Sequence, residues 1–302
     1  MQKYRFKKID AFASLRSNGN PAGAVYLNSP DEIKPEEMQQ VARELKGFVS
    51  EVGYVCRIDG TTFGLKYYSS EREVEFCGHA TIAIMYDLIK NDQDLVNSEL
   101  IHIVTNKGKL VVENRIKTDD AVFITAPVPA FSSKAVERAR IAEAFHISEG
   151  ELSDDYLITI VNAGLETLIV PLRKLKNILS LAPSLDELKN FCVRNGVDII
   201  TVFTDETANN RSRFRTRVFA PTFGYLEDPA TGSGNAALGY YLINNGKWDG
   251  KPIRLEQNGS RDNPNIVRLI TKPDENGNTR VLFGGNAIVR IQGEYVLMSA
   301  DS

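Results

Sequence analysis

The chain has 302 residues, of which 42% are hydrophobic and 25% are charged, and its formal net charge is −3. This length and composition are typical of a globular protein with two domains, and the charge argues against nucleic acid or an acidic membrane surface as a partner. We find no apolar run of 18 residues and no apolar core of a signal peptide in MQKYRFKKIDAF, so neither a membrane-spanning helix nor a secretory leader is expected.

Neither the cysteines nor the histidines have the spacing of a zinc site. They are Cys56, Cys77 and Cys192, and His79, His102 and His146. An odd number of cysteines without a CxxC pair is typical of reduced thiols, so we expect a cytoplasmic protein without a structural metal.

Predicted strands occur in clusters with few helices between them, which favours an α+β architecture over a doubly wound parallel sheet. The predicted strands are residues 4–9, 22–27, 53–58, 62–68, 101–104, 108–114, 121–125, 267–270 and 280–283. The predicted helices are residues 34–45, 80–90, 134–145, 185–195 and 235–244. The TAPVPAFSS segment, 125–133, predicts a domain boundary near residue 127, and DENGN, 274–278, predicts a hairpin turn.

An internal repeat connects the two halves of the chain. A shift of 154 residues places CGHATIAIMYDLIKN, from Cys77, over TGSGNAALGYYLINN, from Thr231, with six identities. A β-rich segment precedes each copy, FGLKYYS from Phe63 and FRTRVFA from Phe214. Because the shift is about half the chain, we interpret the repeat as a duplication that gives two similar domains, each with strands around one central helix.

Both copies open their helix with small or polar residues. The first backbone N–H groups of a helix have no partner within the helix, and the helix dipole makes this end positive. Gly78 and Gly232 would let a ligand approach the backbone closely. Two such helix starts favour a small anionic substrate held in a cleft between the domains.

Four side chains are candidates for proton chemistry. His79 lies in the first turn, where a bond to a neighbouring backbone group is the alternative, and Asp228 of EDP lies in a turn that also suits a capping aspartate. Cys77 has the alternative of a small buried hydrophobe. Glu51 interrupts the β-rich run GFVSEVGYVCRI, where burial would raise its pKa and suit a general acid or base; the alternative is a solvent-exposed loop end.

Five sequence blocks resemble the PhzF-like (phenazine biosynthesis) isomerases, which have the diaminopimelate epimerase fold. The blocks are DAFASLRSNGNPAGAVYL, SEVGYV, EFCGHATIA, FAPTFGYLEDPATGSGNAALGYYL and GGNAIVRIQGEYVL, in the order of that family. The resemblance implies two domains, each a strongly curved, mostly antiparallel sheet around a central helix, with the active site between them. We therefore predict a first domain, 1–126, completed by 285–302, and a second domain, 127–284.

The resemblance also implies a set of site residues and a metal- and cofactor-free reaction. The acid/base glutamate of the family falls on Glu51, its assisting histidine on His79 and its aspartate on Asp228. The residues that meet the substrate carboxylate in the family fall on Gly232 and Ser233, with Gly78 opposite. Asn20 of the GNP block is a further candidate for the site. We find no P-loop and no GxGxxG after a strand, so no organic cofactor is expected.

Two departures from the family pattern leave the substrate open. The late segment EQNGSRDNPN keeps Gln257 with altered spacing, and Gly234–Asn235 replaces the usual residues of copy two.

A stripe of arginines is a further feature of the sequence. The segment RSRFRTR places Arg211, Arg213, Arg215 and Arg217 on one face of a strand. This pattern predicts an exposed, salt-bridged or subunit-contact face, with attraction of an anionic substrate as the alternative.

Three functions are compatible with the sequence. The favoured one is a cofactor-independent isomerase that moves a proton within a small carboxylate-bearing metabolite, with Glu51 as the acid/base group. An amino-acid epimerase, racemase or dehydratase using Cys77 is the second, but the repeat places Thr231 where a second thiol would be needed. A non-catalytic small-molecule-binding protein is the third. The resemblance further implies a homodimer.

Overall fold

The structure is a computed structural model, and it describes residues 1–298. The clustered strands confirm the α+β class. The strands are β1 (Gln2–Ala11), β2 (Asn20–Leu27), β3 (Glu51–Asp59), β4 (Thr62–Ser69), β5 (Glu73–Val74), β6 (Leu100–Thr105), β7 (Gly108–Arg115), β8 (Ala121–Thr125), β9 (Ala130–Phe131), β10 (Thr159–Asn162), β11 (Glu166–Pro171), β12 (Ile199–Thr204), β13 (Phe214–Phe219), β14 (Glu227–Asp228), β15 (Ile253–Gln257), β16 (Asn265–Pro273), β17 (Thr279–Gly285) and β18 (Ala287–Leu297).

The helices match most of the periodic segments of the sequence. They are α1 (Pro35–Glu44), α2 (Gly78–Lys90), α3 (Gln93–Asn97), α4 (Ile116–Asp119), α5 (Arg138–Phe145), α6 (Leu175–Leu179), α7 (Leu185–Asn195) and α8 (Gly232–Asn244). Short 3-10 turns occur at Glu149–Glu151 and Pro221–Phe223. None of the helices within residues 1–298 has both the length and the apolar character needed to cross a bilayer.

The chain folds into two compact units. The first contains Met1–Ala13, Asn18–Ile124 and the C-terminal segment from Gly284, and the second contains Ser14–Ser17 and Thr125–Phe283. Residues 299–302 of the segment predicted to complete the first domain lie outside the described residues. The predicted domains, 1–126 with 285–302 and 127–284, stay a prediction.

The sheet of the first unit curves around α2. Strand β1 pairs antiparallel with β18 and β2, β2 runs parallel to β3, β3 is antiparallel to β4, and β4 leads through parallel β6 to the antiparallel strands β7 and β8. Alternate residues of β3 face opposite sides of this sheet. Val52 and Tyr54 pack with α1, whereas Gly53 faces α2, where an added Cβ would lie 2.3 Å from Ile84 Cδ1. A helix as apolar on all sides as α2 is stable only in such a buried position.

The second unit repeats this pattern around α8. Strand β11 runs parallel to β12, β12 is antiparallel to β13, β13 is parallel to β15, and β15 is antiparallel to β16. The order of parallel and antiparallel pairs is that of β2, β3, β4, β6 and β7. The helices α2 and α8 have the same length of 13 residues, and their starts, Gly78 and Gly232, correspond in the repeat. The predicted pair of similar, helix-centred halves is therefore confirmed.

The predicted helix 134–145 is wrong over its first four residues, because α5 begins only at Arg138. Strand β9 pairs with β10, and the Ser132 N–H continues this pairing by donating to the Ile160 carbonyl. The Ser132 hydroxyl then accepts from the Lys134 N–H, which holds the chain out of a helix. Long-range strand pairing here overrides a local helical pattern.

The predicted exposure of the arginine stripe is also wrong for two of its members. Arg215 is fully buried and Arg217 is 7% exposed, and both lie in β13, whereas Arg211 and Arg213 precede the strand and are exposed. The Arg215 Nη1 pairs with Glu256 Oε2 at 3.2 Å, and Arg217 pairs with Glu227 through two nitrogens. Burial is possible because each guanidinium has a carboxylate partner.

Candidate active site

Three polar side chains meet at the start of α2. Glu51 is the first residue of β3, Cys77 is the N-cap of α2, and His79 lies in the first turn of the helix. The His79 Nε2 lies 3.3 Å from Glu51 Oε2, and the His79 Nδ1 lies 3.4 Å from Cys77 Sγ. The imidazole is therefore placed between a carboxylate and a thiol, with one nitrogen facing each.

The GNP block adjoins this group through β2. Asn20 opens β2 and is 1% exposed, and the register places Ala22 opposite Glu51. The Ser50 N–H donates to the Pro21 carbonyl at 2.9 Å, and the Ser50 hydroxyl donates to Asn20 Oδ1 at 3.2 Å. Parallel pairing of β2 with β3 thus brings Asn20 into contact with Ser50, the residue before Glu51, although 30 residues separate Asn20 and Ser50 in the chain.

Burial makes His79 a neutral imidazole at physiological pH. Its side chain is 11% exposed, and burial lowers its pKa to about 4, with a smaller opposing contribution from the Pro21 backbone. A neutral imidazole has one N–H donor and one acceptor nitrogen. The His79 Nε2 is close to Glu51 Oε2 but makes no hydrogen bond to it, whereas the His79 Nδ1 contacts the Cys77 thiol. The Glu51 side chain itself is 20% exposed, so it is neither sealed in the core nor at a solvent-exposed loop end.

Two residues that the sequence did not single out hold the N-cap of α2. The Thr81 hydroxyl donates to the Cys77 carbonyl at 2.7 Å, and the Tyr67 hydroxyl lies 2.6 Å from Thr81 Oγ1. Both side chains are buried. These bonds fix the backbone that positions Cys77 and His79.

The start of α8 has a corresponding polar group in the second unit. Asp228 ends β14, Thr231 is the N-cap of α8, and Gly232 and Ser233 form its first turn. The Thr231 hydroxyl donates to Asp228 Oδ2 at 2.6 Å. In the repeat, Thr231 corresponds to Cys77 and Ser233 to His79.

One fully buried amide, Gln257, ties this second group together. Its Oε1 accepts from the Thr231 N–H at 2.9 Å and from Asn235 Nδ2 at 2.6 Å. Its Nε2 donates to the Asp228 carbonyl at 2.8 Å and to the Thr231 hydroxyl at 3.0 Å. Asn235 also donates to the Thr231 carbonyl at 2.7 Å, as Thr81 does to Cys77 in the first unit. The departure at Asn235 is therefore part of the scaffold.

Close packing explains why position 232 is a glycine. A Cβ at this position would lie 2.2 Å from the Phe283 ring, which is rigid and buried. Close packing against Phe283 accounts for the glycine without a ligand, so its predicted contact with a substrate stays a prediction.

The predicted site residues thus form two groups. Asn20, Glu51, Gly78 and His79 belong to the first unit, and Asp228, Gly232 and Ser233 belong to the second. Among the described residues, the Glu51 carboxylate, the Cys77 thiol and one His79 nitrogen lie within 4.8 Å of one another and could ligate a metal ion. Their chemistry suits a soft divalent ion such as zinc, but His79 directs a different nitrogen at each neighbour, so binding all three to one ion needs a rearrangement.

Comparison with solved structures places the fold among the epimerase-like α+β proteins. A PhzF family protein of Bacillus anthracis aligns with a TM-score of 0.86 and 22% identity, over 98% of this chain and 100% of that protein. A hydroxyproline epimerase of Agrobacterium vitis, solved with trans-4-hydroxy-L-proline, aligns with a TM-score of 0.58 and 11% identity, over 98% of this chain and 91% of that protein. The predicted epimerase-like fold is confirmed.

The sequence comparison gives the family. Residues 9–293 match the family model of the phenazine biosynthesis-like proteins, PhzC-PhzF, and the chain belongs to this family. A curated relative, an uncharacterized isomerase of Clostridium acetobutylicum, is 28% identical over 98% of this chain and 99% of its own length. The family that the five sequence blocks resemble is therefore confirmed.

Proposed function

We propose that this protein is a cofactor-independent isomerase that moves a proton within a small carboxylate-bearing metabolite, with Glu51 as the acid/base group. The observation that carries the proposal is the contact of Glu51 with a buried, neutral imidazole at the start of α2. A carboxylate in such a place is partly shielded from water and lies beside an uncharged polar ring, which suits proton transfer.

In the proposed reaction the Glu51 carboxylate removes a proton from a carbon that is alpha or vinylogous to the substrate carboxylate. The electron pair of that C–H bond shifts the double bond, and the Glu51 carboxyl returns the proton to another carbon of the same molecule. The substrate therefore changes neither in composition nor in oxidation state. His79, as a neutral imidazole 3.3 Å from Glu51 Oε2, packs against the Glu51 carboxylate and helps to position it.

We assign the remaining residues to substrate binding. Backbone N–H groups at a helix start favour an anion, so Gly232 and Ser233, with Gly78, are proposed to bind the carboxylate. Asp228 is proposed to position a substrate hydroxyl or amino group, and Asn20 to contact the substrate near Glu51. The carboxylate ligand named for the hydroxyproline epimerase agrees with an anionic metabolite as substrate.

A specific observation keeps a second function open. The Cys77 thiol lies 3.4 Å from His79 Nδ1, which is an arrangement that can activate a thiol for an epimerase or dehydratase. The repeat places Thr231, an oxygen nucleophile, where a second thiol would be needed. Cys192 is buried, and burial raises its pKa to about 12, so it is inert at physiological pH. A non-catalytic binding protein is the third possibility.

Hydrogen exchange with solvent discriminates among these functions. The protein is incubated in deuterated water with a panel of cyclic and amino-acid carboxylates, and incorporation is measured by mass spectrometry. We expect incorporation with wild type and Cys77→Ala and its loss with Glu51→Gln. Loss in Cys77→Ala with retention in Glu51→Gln would favour the thiol mechanism instead. No incorporation with any compound by wild type would favour the binding protein.

We further propose a cytoplasmic homodimer that binds neither nucleic acid nor membranes. Three buried cysteines agree with a reducing compartment. The net charge of −3 agrees with the absence of a polyanionic partner.

A further inference from the structure

A group of arginines in the second unit has no part in the proposed reaction. Arg254 of β15 lies directly opposite Arg268 of the antiparallel strand β16. Like charges that face each other across two strands destabilise a sheet unless another group compensates them. Burial lowers the pKa of the Arg254 guanidinium, and the positive charges of Arg268 and Arg211 lower it further. The positive charges of Arg211, Arg254 and Arg268 are therefore close enough for two of them to affect the third.

This group lies on the face of β15 that points away from α8. Gln257 bonds to Thr231 and Asn235 of α8, so its side chain marks the inner face of the strand. Side chains alternate between faces along a strand, which places Glu256 and Arg254 on the outer face. The two carboxylate oxygens of Glu256 accept from the backbone N–H groups of residues 208 and 209, in the loop that carries Arg211. The arginine group is thus separated by the sheet from the polar group of α8.

Two other arginines of this face pair with carboxylates, but within the described residues Arg254 does not. Arg215 binds Glu256, and Arg217 binds Glu227. The negative charge of Glu256 opposes the lowering of the Arg254 pKa, but both oxygens of this carboxylate already have partners. The Arg254 Nε is buried, and within residues 1–298 it has no hydrogen-bond acceptor. Buried N–H groups almost always have an acceptor, so this donor points to an absent group.

We propose that Arg254, together with Arg211 and Arg268, binds the phosphate group of a small molecule. Guanidinium groups match phosphate oxygens with paired N–H donors, and several cations favour a dianion over a carboxylate. A bound phosphate would supply the acceptor that Arg254 Nε lacks and would screen the repulsion between the opposed arginines. Because Arg254 and Arg268 are only partly exposed, a compact group fits better than a membrane surface or a nucleic acid backbone.

Thermal unfolding with inorganic phosphate and pyrophosphate tests the proposal, with sodium chloride at the same ionic strength as reference. At about 20-fold excess over the dissociation constant, we expect a rise of roughly 3 °C in the Tm of wild type. Isothermal titration should give an affinity about tenfold weaker for Arg254→Gln, because one charge-assisted contact is lost. Arg254→Lys keeps the charge but lacks the paired N–H donors of the guanidinium, so its affinity should lie between those of wild type and Arg254→Gln. Arg140→Gln, which removes an exposed arginine of α5, should behave as wild type.

The stability without anion adds a second criterion. Because Arg254→Gln removes an uncompensated cation, it should be at least as stable as wild type in chloride. A Tm of Arg254→Gln below that of wild type in chloride would show that Arg254 has a structural partner, and it would overturn the proposal. Equal shifts in wild type and Arg254→Gln, or no shift beyond that of chloride, would also overturn it. So would Arg254-dependent binding to phosphatidylglycerol vesicles without a response to the free phosphates. All readouts are independent of catalysis, so they stand apart from the proposed isomerase.

Discussion

At the scale of single residues, the protonation state of His79 decides what the group at the start of α2 can do. A histidine exposed to water titrates near pH 6.5, but burial lowers the pKa of His79 to about 4. The ring therefore carries no charge at neutral pH and cannot form a salt bridge with Glu51. It lies instead as an uncharged polar ring between Glu51 and Cys77, in contact with both, which suits a positioning role.

The depressed pKa predicts a pH dependence of stability. Between pH 6.5 and 4 the unfolded chain binds a proton on this histidine and the folded chain does not, so stability is fully present above pH 6.5 and falls as the pH drops. A difference of this size corresponds to about 3 kcal/mol. The unfolding free energy of wild type should fall by this amount between pH 7 and pH 4 because of His79. We expect the fall measured by urea denaturation to be smaller by the same amount in His79→Gln.

His102→Gln provides the matched control, since His102 is exposed on β6. It should keep the wild-type difference between the two pH values. A His79→Gln protein with the full wild-type loss on acidification would show that His79 is not held neutral.

At the scale of elements, the starts of α2 and α8 use one construction with different residues. A side chain one turn into each helix, Thr81 or Asn235, donates to the carbonyl of the N-cap residue. In the second unit this arrangement extends through Gln257 to the Asp228 backbone. The proposed site residues are thus carried by polar networks that are themselves buried.

Removal of the Gln257 amide should therefore be costly. Gln257→Leu removes the buried amide that bonds to the Thr231 N–H and the Asp228 carbonyl, and it takes away one of the two acceptors of the Asn235 amide. We expect a loss of about 3 kcal/mol in unfolding free energy, measured by urea denaturation. Gln292→Leu, on an exposed position of β18, should change stability by less than about 0.5 kcal/mol. Equal effects of the two substitutions would contradict the role of Gln257.

At the scale of the whole molecule, the sequence predicted the elements whose pattern is local. The sequence predicts the helices α2 and α8 from the helical pattern of their own apolar residues, and it predicts the repeat because the two copies align without a gap. The start of α5 was misplaced because pairing of β9 with β10 decides it, and that pairing joins residues far apart in the chain. Local periodicity contains no information about such a partner.

The same limit applies to the site. Glu51 and His79 were identified by family resemblance, and their contact depends on a sheet register that no short pattern specifies. The burial of Arg215 could not be foreseen, because its partner Glu256 comes 41 residues later. The network of Gln257 was missed as a scaffold for the same reason. Residues that act through distant partners become visible only in the folded chain.

The most direct test of the account is the kinetics of Glu51→Gln with the substrate that the exchange panel identifies. Loss of an acid/base group that is essential to the reaction should lower kcat by about 1,000-fold. The dissociation constant of the substrate, measured by isothermal titration, should stay within about threefold, because the amide keeps the shape of the side chain. A Glu51→Gln protein that binds the substrate normally and retains more than about a tenth of the wild-type kcat would contradict the central claim that Glu51 moves the proton.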